Sequence, residues 1–309
     1  MPSLSATSLN VRGMGGEPGF ASLLQAARKR SIKDNLGVLM IQEHNMNPHK
    51  HQNFVDVAKL KGYTLTISYG KADDEESLRG GTLILTWDKT VTLLHTFNNE
   101  PGFIRIKVEW GTETLEFANV YAPARSLPRV DYYTALRAKL TPNTIVGGDW
   151  NTVGDITIDI DSANPLGYNN RGSTLLHQIM SDKGLVDERR EQLGDEREFT
   201  RDGNAINGWT SSRLDRWYVP GNMECLWTFK VDNSFIFKEK SSDHRAVTVT
   251  IDNQMGEMGK ERVTINEDLC SDPTIQTAIG EIVAKAYEGN KSERSKWELA
   301  HAKLFDYLL

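Results

Sequence analysis

The chain has 309 residues and a formal net charge of −6, with 39% hydrophobic and 25% charged residues. These proportions are ordinary for a soluble globular protein, and no stretch reaches the roughly 18–20 consecutive apolar residues that a membrane span requires. The acidic balance argues against binding to nucleic acid through bulk charge alone. Because Cys225 and Cys270 are the only cysteines, we expect neither a disulfide framework nor a cysteine metal site, which favours an intracellular setting. The lack of a long apolar stretch indicates that no membrane partner is needed.

Apolar runs and helical periodicity predict strands that alternate with a few helices. In chain order, the predicted strands are Leu4–Val11, Gly37–Gln42, Tyr63–Ser68, Gly81–Trp87, Val91–Phe97, Phe103–Trp110, Thr114–Tyr121, Thr144–Gly148, Arg213–Val219 and Ala246–Ile251. The predicted helices are Phe20–Lys29, one that starts at Asn47-Pro48, Pro128–Leu140 and Ser173–Asp182. This arrangement indicates mixed sheets with helices on their outer faces, within a domain that spans residues 1–252.

The composition changes after Asp252. Asn253–Lys260 is polar and contains glycine, which is typical of a linker. Asp272-Pro273 then resembles a helix start, and an apolar stripe at helical spacing follows it. A second helix is predicted from about Ser292, and the chain stops within an apolar pattern at Leu309. We therefore expect residues 253–309 to form a linker and helical extension of a longer polypeptide.

Polar side chains stand at the ends of several predicted strands, which is where α/β scaffolds present their chemistry. They are, in chain order, Asn10, Glu43, Tyr121, the pair Asp149 and Asn151, and the pair Asp243 and His244. Each feature is weak alone, but their shared position at the end of an apolar run favours a single cleft.

Glu43 offers a hard oxygen ligand of the type that Mg²⁺ or Mn²⁺ prefers. In isolation, the stretch Gln42-Glu43-His44 would be interpreted as a surface or helix-capping carboxylate. Asn10 could hold a water or a ligand carboxylate near such an ion. In the company of the other motifs, a metal-binding role for Glu43 is the better interpretation.

Asp149 and Asn151 lie two residues apart at a strand end, so their side chains can point to the same side. Asp149 could orient or deprotonate a water, and Asn151 could hold a phosphate oxygen because its amide is neutral. The alternative is a simple turn, since Gly-Gly-Asp-Trp-Asn is rich in turn-forming residues.

Asp243 and His244 form the strongest pair. Histidine titrates near neutral pH and suits general acid–base work, but it usually needs a partner that orients its other ring nitrogen. Asp215 could supply that carboxylate from a neighbouring strand. The alternatives are a structural histidine and an Asp215 that pairs with Arg213 or Arg216.

Contacts to a phosphate or a base could come from several side chains near these motifs. Tyr121 could hydrogen-bond a phosphate oxygen, Arg12 could reach a phosphate, and Trp150 could stack on a base, although packing or surface roles are common for all three. Further candidates for a basic rim are Arg28, Lys29, Arg30, Lys33, Arg125, Arg129, Arg213 and Arg216. Most of these charges are expected to be solvated surface groups.

Taken together, six segments resemble the endonuclease/exonuclease/phosphatase superfamily in kind and in order. They are Leu9-Asn10, Ile41-Gln42-Glu43, Val120-Tyr121-Ala122-Pro123, Gly147-Gly148-Asp149-Trp150-Asn151, Arg213-Leu214-Asp215-Arg216 and Ser241-Ser242-Asp243-His244. Within the superfamily, Asn10-Val11-Arg12-Gly13, Gly184-Leu185-Val186-Asp187 and Ser211–Val219 are most similar to the apurinic-type endonuclease of non-LTR (LINE-like) retrotransposons.

The resemblance implies a four-layered α/β sandwich, with two mixed β-sheets packed face to face and helices outside. It also implies an Mg²⁺- or Mn²⁺-dependent phosphodiesterase that nicks DNA in the nucleus and leaves a 3′-hydroxyl for reverse transcription. The helical extension would then lead to a reverse transcriptase in the same polypeptide.

The resemblance also assigns roles to the candidate residues. Glu43, Asn10 and Asp243 would serve the metal, while His244, oriented by Asp215, would stabilise the transition state. The residues that would position the water or the phosphate are Asp149, Asn151 and Tyr121, and those that would contact the substrate are Arg12, Arg213 and Trp150.

Two departures from the family pattern lie in loops that border the DNA groove in relatives. Phe199-Thr200 is followed by Arg201 where an aromatic residue is common, and Asp161 is followed by Ser162 where arginine is common.

Three alternatives to this reading of the function stay open. They are a repair endonuclease or small-molecule phosphodiesterase on the same scaffold, a catalytically inactive binding module, and a protein whose helical extension matters most as a docking surface.

Overall fold

A computed structural model describes residues 3–70, 80–162, 165–205, 208–223, 226–232 and 242–252, with 276–277, 280–281 and 284–285. The chain divides into two compact units, Met1–Asn253 and Gln254–Leu309. The six described residues of the second unit are all helical. The predicted linker and the apolar stripes beyond it lie outside the described residues, so the assignment of 253–309 to a helical extension remains a prediction.

The first sheet of the larger unit is mixed and has six strands. The strands are β1 (Leu4–Asn10), β2 (Leu36–Gln42), β3 (Tyr63–Ser68), β4 (Thr82–Trp87), β14 (Leu226–Asp232) and β15 (Ala246–Asp252). Their spatial order is β14-β15-β1-β2-β4-β3. Only β1 and β2 run parallel, and the other neighbours pair antiparallel. The site-bearing strands β1 and β2 therefore lie in the middle of this sheet.

The second sheet is also mixed and six-stranded. The strands are β5 (Thr92–Glu100), β6 (Phe103–Trp110), β7 (Glu113–Tyr121), β8 (Thr144–Asp149), β10 (Leu185–Val186) and β13 (Asp215–Pro220). Their order is β10-β13-β8-β7-β6-β5, in which β7 and β8 are parallel. A small third sheet contains β9 (Ile160–Ser162), β11 (Arg201–Ala205) and β12 (Gly208–Ser212).

Two 3-10 helices, Pro48–Lys50 and Pro165–Gly167, and five α-helices complete the described part of this unit. The α-helices are α1 (Gly16–Asp34), α2 (His51–Leu60), α3 (Ser126–Leu136), α4 (Ser173–Asp182) and α5 (Glu188–Leu193). One apolar cluster joins α1 and α2 to the outer face of the first sheet, and another joins α3 and α4 to the outer face of the second. The predicted four-layered α/β sandwich is thus confirmed. None of the described helices is long and apolar enough to cross a membrane.

A third cluster fills the space between the sheets. Val38 and Met40 of the first sheet pack in the same buried cluster as Ile106, Phe117 and Trp217 of the second. Because alternate residues of a strand face the same side, the apolar positions of β2 and β6 point inward together. Full burial of each such side chain contributes about 1.5–3 kcal/mol relative to exposure, so this layer is the main source of cohesion between the sheets.

A polar bridge crosses the same interface close to the strand ends. The Gln42 amide donates to the Asn119 side-chain oxygen at 2.7 Å, and the Asn119 amide donates to the carbonyl oxygens of Ile41 (3.0 Å) and Leu83 (2.8 Å). Buried amides that find partners in this way favour a single alignment of the two layers. This bridge fixes β2 against β7, which is a requirement for a site built from both sheets.

All ten predicted strands are present, with ends that differ by a few residues. The first predicted helix, Phe20–Lys29, is part of the longer α1, and Pro128–Leu140 ends earlier, at Leu136 of α3. The prediction omitted β9, β10, β11, β12, β14 and α5. Apart from β14, these elements are short or polar, as in the Arg201–Ala205 strand Arg-Asp-Gly-Asn-Ala, so they carry no periodic apolar signal. In β14, Trp227, Phe229 and Val231 do alternate with Thr228 and Lys230, so this strand could have been predicted from the sequence.

Candidate active site

The topology gathers the predicted site residues at one edge of the sandwich. The strands β1 and β2 end side by side in one sheet, and β7 and β8 end side by side in the other. The antiparallel β13 begins where β8 ends, so that Asp215 is the register partner of Asp149. In the same way, β15 begins beside the end of β1, just after His244. Residues far apart in sequence therefore meet in one cleft.

Asn10 joins two of the predicted carboxylates. Its Nδ2 donates to Glu43 Oε1 at 2.8 Å and to Asp149 Oδ2 at 2.9 Å. Its Oδ1 accepts from the backbone N–H of Arg12 at 3.0 Å, which fixes the orientation of the amide. The structure thus places Asn10, Glu43 and Asp149 together, as the sequence predicts, with the amide as a bridge between carboxylates that would otherwise repel each other.

Three residues at this edge have a left-handed backbone. The φ angles are 48° at Arg12, 53° at Glu43 and 50° at Asn151. Non-glycine residues rarely adopt this conformation, and such strain persists only where the surrounding structure imposes it. Its concentration at the ends of β1, β2 and β8 indicates that these side chains are held in position for a function.

His244 and Asp215 form a buried, oriented pair. His244 Nδ1 lies 2.8 Å from Asp215 Oδ2, and Thr200 Oγ1 donates to the same oxygen at 2.8 Å. Thr200 is itself held by the backbone N–H groups of Leu214 and Asp215. Because Nδ1 is engaged, the other ring nitrogen is left to face the cleft.

That second nitrogen lies between two further carboxylates. His244 Nε2 is 3.9 Å from Asp149 Oδ2 and 4.0 Å from Asp243 Oδ1. Burial opposes a charge on His244, but Asp215 and Asp149 outweigh it and raise its pKa to about 9. Burial, opposed by His244, raises the pKa of Asp149 to about 6. At neutral pH the His244 imidazole is therefore protonated and cannot accept another proton. Asp149 is ionised at that pH and can accept one.

Asp243 is neutralised by two guanidinium groups. Its Oδ2 lies 3.0 Å from Arg12 Nη1 and 3.0 Å from Arg201 Nε. Burial disfavours the charged carboxylate, but His244, Arg201 and Arg12 outweigh burial and hold the pKa of Asp243 below its usual value. Asp243 Oδ1 is buried and makes no hydrogen bond. The structure thus assembles Arg12, Asp243 and His244 around one point of the cleft.

Tyr121 and Asn151 line the same cleft. Burial, followed by the charges of Glu43 and Asp149, raises the pKa of Tyr121 far above neutrality, so its hydroxyl remains a donor. The Asn151 amide donates to the carbonyl oxygen of Ala122 at 2.7 Å and to Asp149 Oδ2 at 3.3 Å. In this structure Asn151 supports Asp149 directly, and its predicted role as a phosphate ligand remains a prediction.

The oxygen donors of the cleft fit a divalent cation. Asp243 Oδ1 is a buried oxygen without a hydrogen bond, and Glu43, which Asn10 links to Asp149, offers a further hard carboxylate. A second grouping, Asp149, Asp215 and His244, has potential ligand atoms within 4.8 Å of one another. Two of those three are already hydrogen-bonded to each other, so we favour the side of the cleft formed by Glu43, Asn10 and Asp243.

Two residues predicted to touch a substrate lie in the interior. Trp150 is fully buried, packs edge-on against Tyr218, and donates from Nε1 to a backbone carbonyl. Arg213 is 2% exposed and makes a bidentate ion pair with Asp187 at 2.5 and 2.8 Å. Neither side chain is placed to meet a substrate, because the sheet and its helices cover both. Among the rim candidates, Arg129 is likewise buried.

Several supporting residues were absent from the predicted set. Thr200 orients Asp215, Arg201 binds Asp243, and the Ser242 hydroxyl donates to the Asn10 carbonyl oxygen at 2.6 Å. Arg129 of α3, which was predicted as a rim cation, instead donates to four backbone carbonyls, including that of Asn151 at 2.6 Å. The sequence gives no direct signal for such contacts, although Thr200 and Arg201 stand where a departure from the family pattern is visible.

These features define an α/β sandwich with a cluster of carboxylates and a histidine at one edge. An endonuclease/exonuclease/phosphatase family protein from Leptotrichia buccalis has a similar fold. No family model and no curated protein matches the chain. Solved structures do match it with a probability of 1.00.

One such structure is the endonuclease domain of TRAS1, a telomere-specific non-LTR retrotransposon, with a TM-score of 0.56 and 15% identity over 82% of this chain and 100% of that chain. Another is the AP endonuclease LMAP from Leishmania major, with a TM-score of 0.61 and 16% identity over 82% and 88%. A third is the 3′ phosphatase NExo from Neisseria bound to a product DNA hairpin, with a TM-score of 0.58 and 18% identity over 81% and 100%. The chain therefore has the fold that the sequence resemblance implied.

Proposed function

We propose that this chain is a divalent-metal-dependent phosphodiesterase that nicks DNA and leaves a 3′-hydroxyl. The observation that carries the proposal is the buried Asp215–His244 pair, whose second ring nitrogen faces Asp149 at 3.9 Å in a cleft that also holds Glu43. Paired groups whose surroundings separate their pKa values are typical of acid–base assignments. The structures of similar fold include a retrotransposon endonuclease domain, and a 3′ phosphatase that is bound to a DNA hairpin. Both support DNA as the substrate.

In this mechanism Asp149 accepts the proton of the attacking water. Its pKa of about 6 leaves it ionised but basic at neutral pH. The water oxygen bonds to phosphorus as the bond from phosphorus to the 3′ oxygen breaks, and the leaving oxygen takes a proton from solvent. Charged His244 stabilises the negative charge that develops on the phosphate, and the Tyr121 hydroxyl donates to a phosphate oxygen.

Glu43, Asn10 and Asp243 are the residues that would hold the divalent cation. When bound, it would supply positive charge at the phosphate and at the leaving oxygen. Asn10 also keeps Glu43 and Asp149 at a fixed separation through its two donated hydrogen bonds. Mg²⁺ or Mn²⁺ would suit these residues, because both ions prefer oxygen ligands.

The biological setting follows from the resemblance to retrotransposon endonucleases and is part of the proposal. The free 3′-hydroxyl would prime a reverse transcriptase joined to the C-terminal side of this chain, and the site of action would be the nucleus. The fold similarity to the TRAS1 endonuclease domain supports this setting. An AP endonuclease and a 3′ phosphatase have a similar fold, so abasic and 3′-phosphorylated DNA must also be tested as substrates.

The test is nicking of supercoiled plasmid with Mg²⁺, in parallel with an EDTA reaction. We expect nicking by the wild type, loss of nicking in His244→Ala, and retention in the matched control His95→Ala, which removes an exposed histidine of β5. Extension of the nicks by a DNA polymerase would demonstrate the 3′-hydroxyl. A strong preference for an abasic duplex would instead favour repair, cleavage only of a 3′-phosphorylated oligonucleotide would favour a phosphatase, and no cleavage of any of these would favour an inactive module.

A further inference from the structure

The candidate cleft presents an electrostatic problem for an anionic substrate. Three carboxylates line it, those of Glu43, Asp149 and Asp243, and a fourth, Asp215, is buried against Nδ1 of His244, the cation that lies among them. A DNA phosphate that approaches this edge is repelled by carboxylates unless other cations receive it. Such cations are expected at the mouth of the cleft, beside His244.

Two guanidinium groups occupy that position, and both hold the same carboxylate. Arg12 Nη1 and Arg201 Nε each lie 3.0 Å from Asp243 Oδ2. The Arg12 and Arg201 side chains are 56% and 35% exposed, while Asp243 is 15% exposed. Both guanidinium groups therefore reach solvent, whereas the carboxylate that they share is less exposed. A carboxylate oxygen and a phosphate oxygen are alternative acceptors for such a pair.

Both arginines are fixed in place by their backbones. Arg12 has a left-handed φ of 48°, and its N–H donates to Asn10 Oδ1 at 3.0 Å. Arg201 is bridged to His244 across an isolated antiparallel pair, and the next N–H, that of Asp202, donates to the Asp243 carbonyl oxygen at 2.9 Å. Preformed positions of this kind lower the entropic cost of binding an anion.

Asp243 itself uses only half of its carboxylate. Oδ2 forms the ion pairs with both arginines, whereas Oδ1 is buried without a hydrogen bond, 4.0 Å from His244 Nε2, and is the oxygen offered to the proposed cation. The two oxygens therefore have separate partners. A phosphate oxygen can replace Oδ2 at the arginines without competing for the place of Oδ1.

We propose that Arg12 and Arg201 form a receptor for one phosphate of the DNA backbone, and that the Asp243 carboxylate occupies this receptor until the phosphate displaces it. The exchange replaces one set of ion pairs by another and makes or breaks no covalent bond. The inference rests on the proposed function, since it names the group that positions the DNA substrate beside His244. It also gives Asp243 a role before catalysis that is separate from its role at the cation.

A double-mutant cycle tests the exchange. Binding of a fluorescent DNA duplex is measured by anisotropy in EDTA, so no variant can act through a metal. We expect Asp243→Asn to tighten binding, because it removes the competing anion, and Arg201→Gln to abolish that gain. The coupling should be about 5-fold or more, as for residues that share a partner, whereas Glu43→Gln combined with Arg201→Gln should be nearly additive.

The salt dependence gives a second and independent readout. Each phosphate that a protein neutralises contributes about −0.9 to the slope of log K against log[salt]. If both arginines receive one phosphate, the double variant Arg12→Gln/Arg201→Gln should change the slope by about 0.9, whereas separate phosphates would give about 1.8. Arg137→Gln removes an arginine whose partner is Asp182, on the helix-covered side, and should leave the slope unchanged.

Thermal unfolding of each variant identifies changes that merely disrupt the fold. If Arg201→Gln does not fold, Arg201→Lys keeps the charge and should retain part of the coupling. An additive Asp243/Arg201 cycle, or no binding of DNA by the folded wild type, would overturn the receptor. Because the titrations need no cleavage, additive binding with active nicking would remove only the receptor, and coupled binding without nicking would remove only the proposed reaction.

Discussion

Replacement of Asp215 by asparagine tests the proposed chemistry most directly. Asp215 Oδ2 accepts from His244 Nδ1 and from Thr200 Oγ1, each at 2.8 Å, and the residue is 1% exposed. Asparagine has nearly the same shape, so packing is conserved while the charge is lost. His244 then loses the nearest anion that keeps it protonated, and its pKa falls toward the ordinary value.

The size of the effect follows from two contributions. Loss of an oriented and charged histidine typically lowers the rate by about 10²–10⁴-fold, or about 3–5 kcal/mol of transition-state stabilisation. The amide group that Asp215→Asn introduces would also point where Asp215 Oδ1 now has no hydrogen-bond partner, which costs about 1–3 kcal/mol of folding free energy. We therefore expect a large loss of kcat and a modest loss of stability.

The assay is steady-state nicking of plasmid with Mg²⁺, combined with chemical denaturation. Because the Asp215 side chain is buried and cannot touch DNA, the loss should fall on kcat and leave KM nearly unchanged. Asp161→Asn removes the same charge from a side chain that is 64% exposed and serves as the control. A folded Asp215→Asn protein whose kcat lies within about threefold of the wild type would refute the orienting role, since the expected loss is far larger.

Three further outcomes are expected. Arg213→Met should lower the free energy of unfolding by about 3–5 kcal/mol in urea titrations, because it removes the ion pairs of Arg213 with half-buried Asp187 and with buried Asp159; an unchanged midpoint with lost DNA binding would contradict its interior position. In the metal-free protein, the pKa of His244 is raised to about 9, so the stabilisation from its charge is complete below pH 6.5 and is lost as the pH rises to 9. The free energy of unfolding should fall by about 3 kcal/mol over this range. A series of denaturation curves measures the change, which should be absent in His244→Gln. Arg129→Lys should lower kcat more than KM in the nicking assay, because a lysine cannot span the four backbone carbonyls that hold the Asn151 loop; an unaltered kcat would show that the loop needs no such anchor.

The positions of the site residues were predictable because they depend on topology. Asn10, Glu43 and Asp149 follow apolar runs long enough to be recognised as strands, and strand ends within such a sandwich converge. The hydrogen bonds among these residues, and the pairing of Asp215 with His244, depend on strand register. Register was implied only by the resemblance, because no local pattern in the sequence encodes which strands become neighbours.

Burial of long polar side chains was the least predictable property. Arg213 and Trp150 stand beside Asp215 and Asp149 in sequence, so a role at the substrate was a reasonable expectation. Trp150 directly follows Asp149, so its side chain turns to the other side, where Tyr133 and Tyr218 of the apolar cluster pack against it. Arg213 lies between β12 and β13, two residues before Asp215, and its ion pair with Asp187 holds it in the interior. Whether an arginine at such a position meets water or a buried carboxylate is decided by a partner far away in the chain.

The interior position of these arginines changes how an acidic chain could bind DNA. Arg129, Arg213 and Arg216 are buried and so contribute little to the field outside the protein. With a net charge of −6, general attraction to DNA is weak, so the proposed binding would depend on local groups of exposed cations and on the divalent ion. Arg12 and Arg201 form such a group beside His244. A protein that binds DNA only at its reactive edge would combine low affinity elsewhere with correct placement of the phosphate, which is what a nick at a defined position requires.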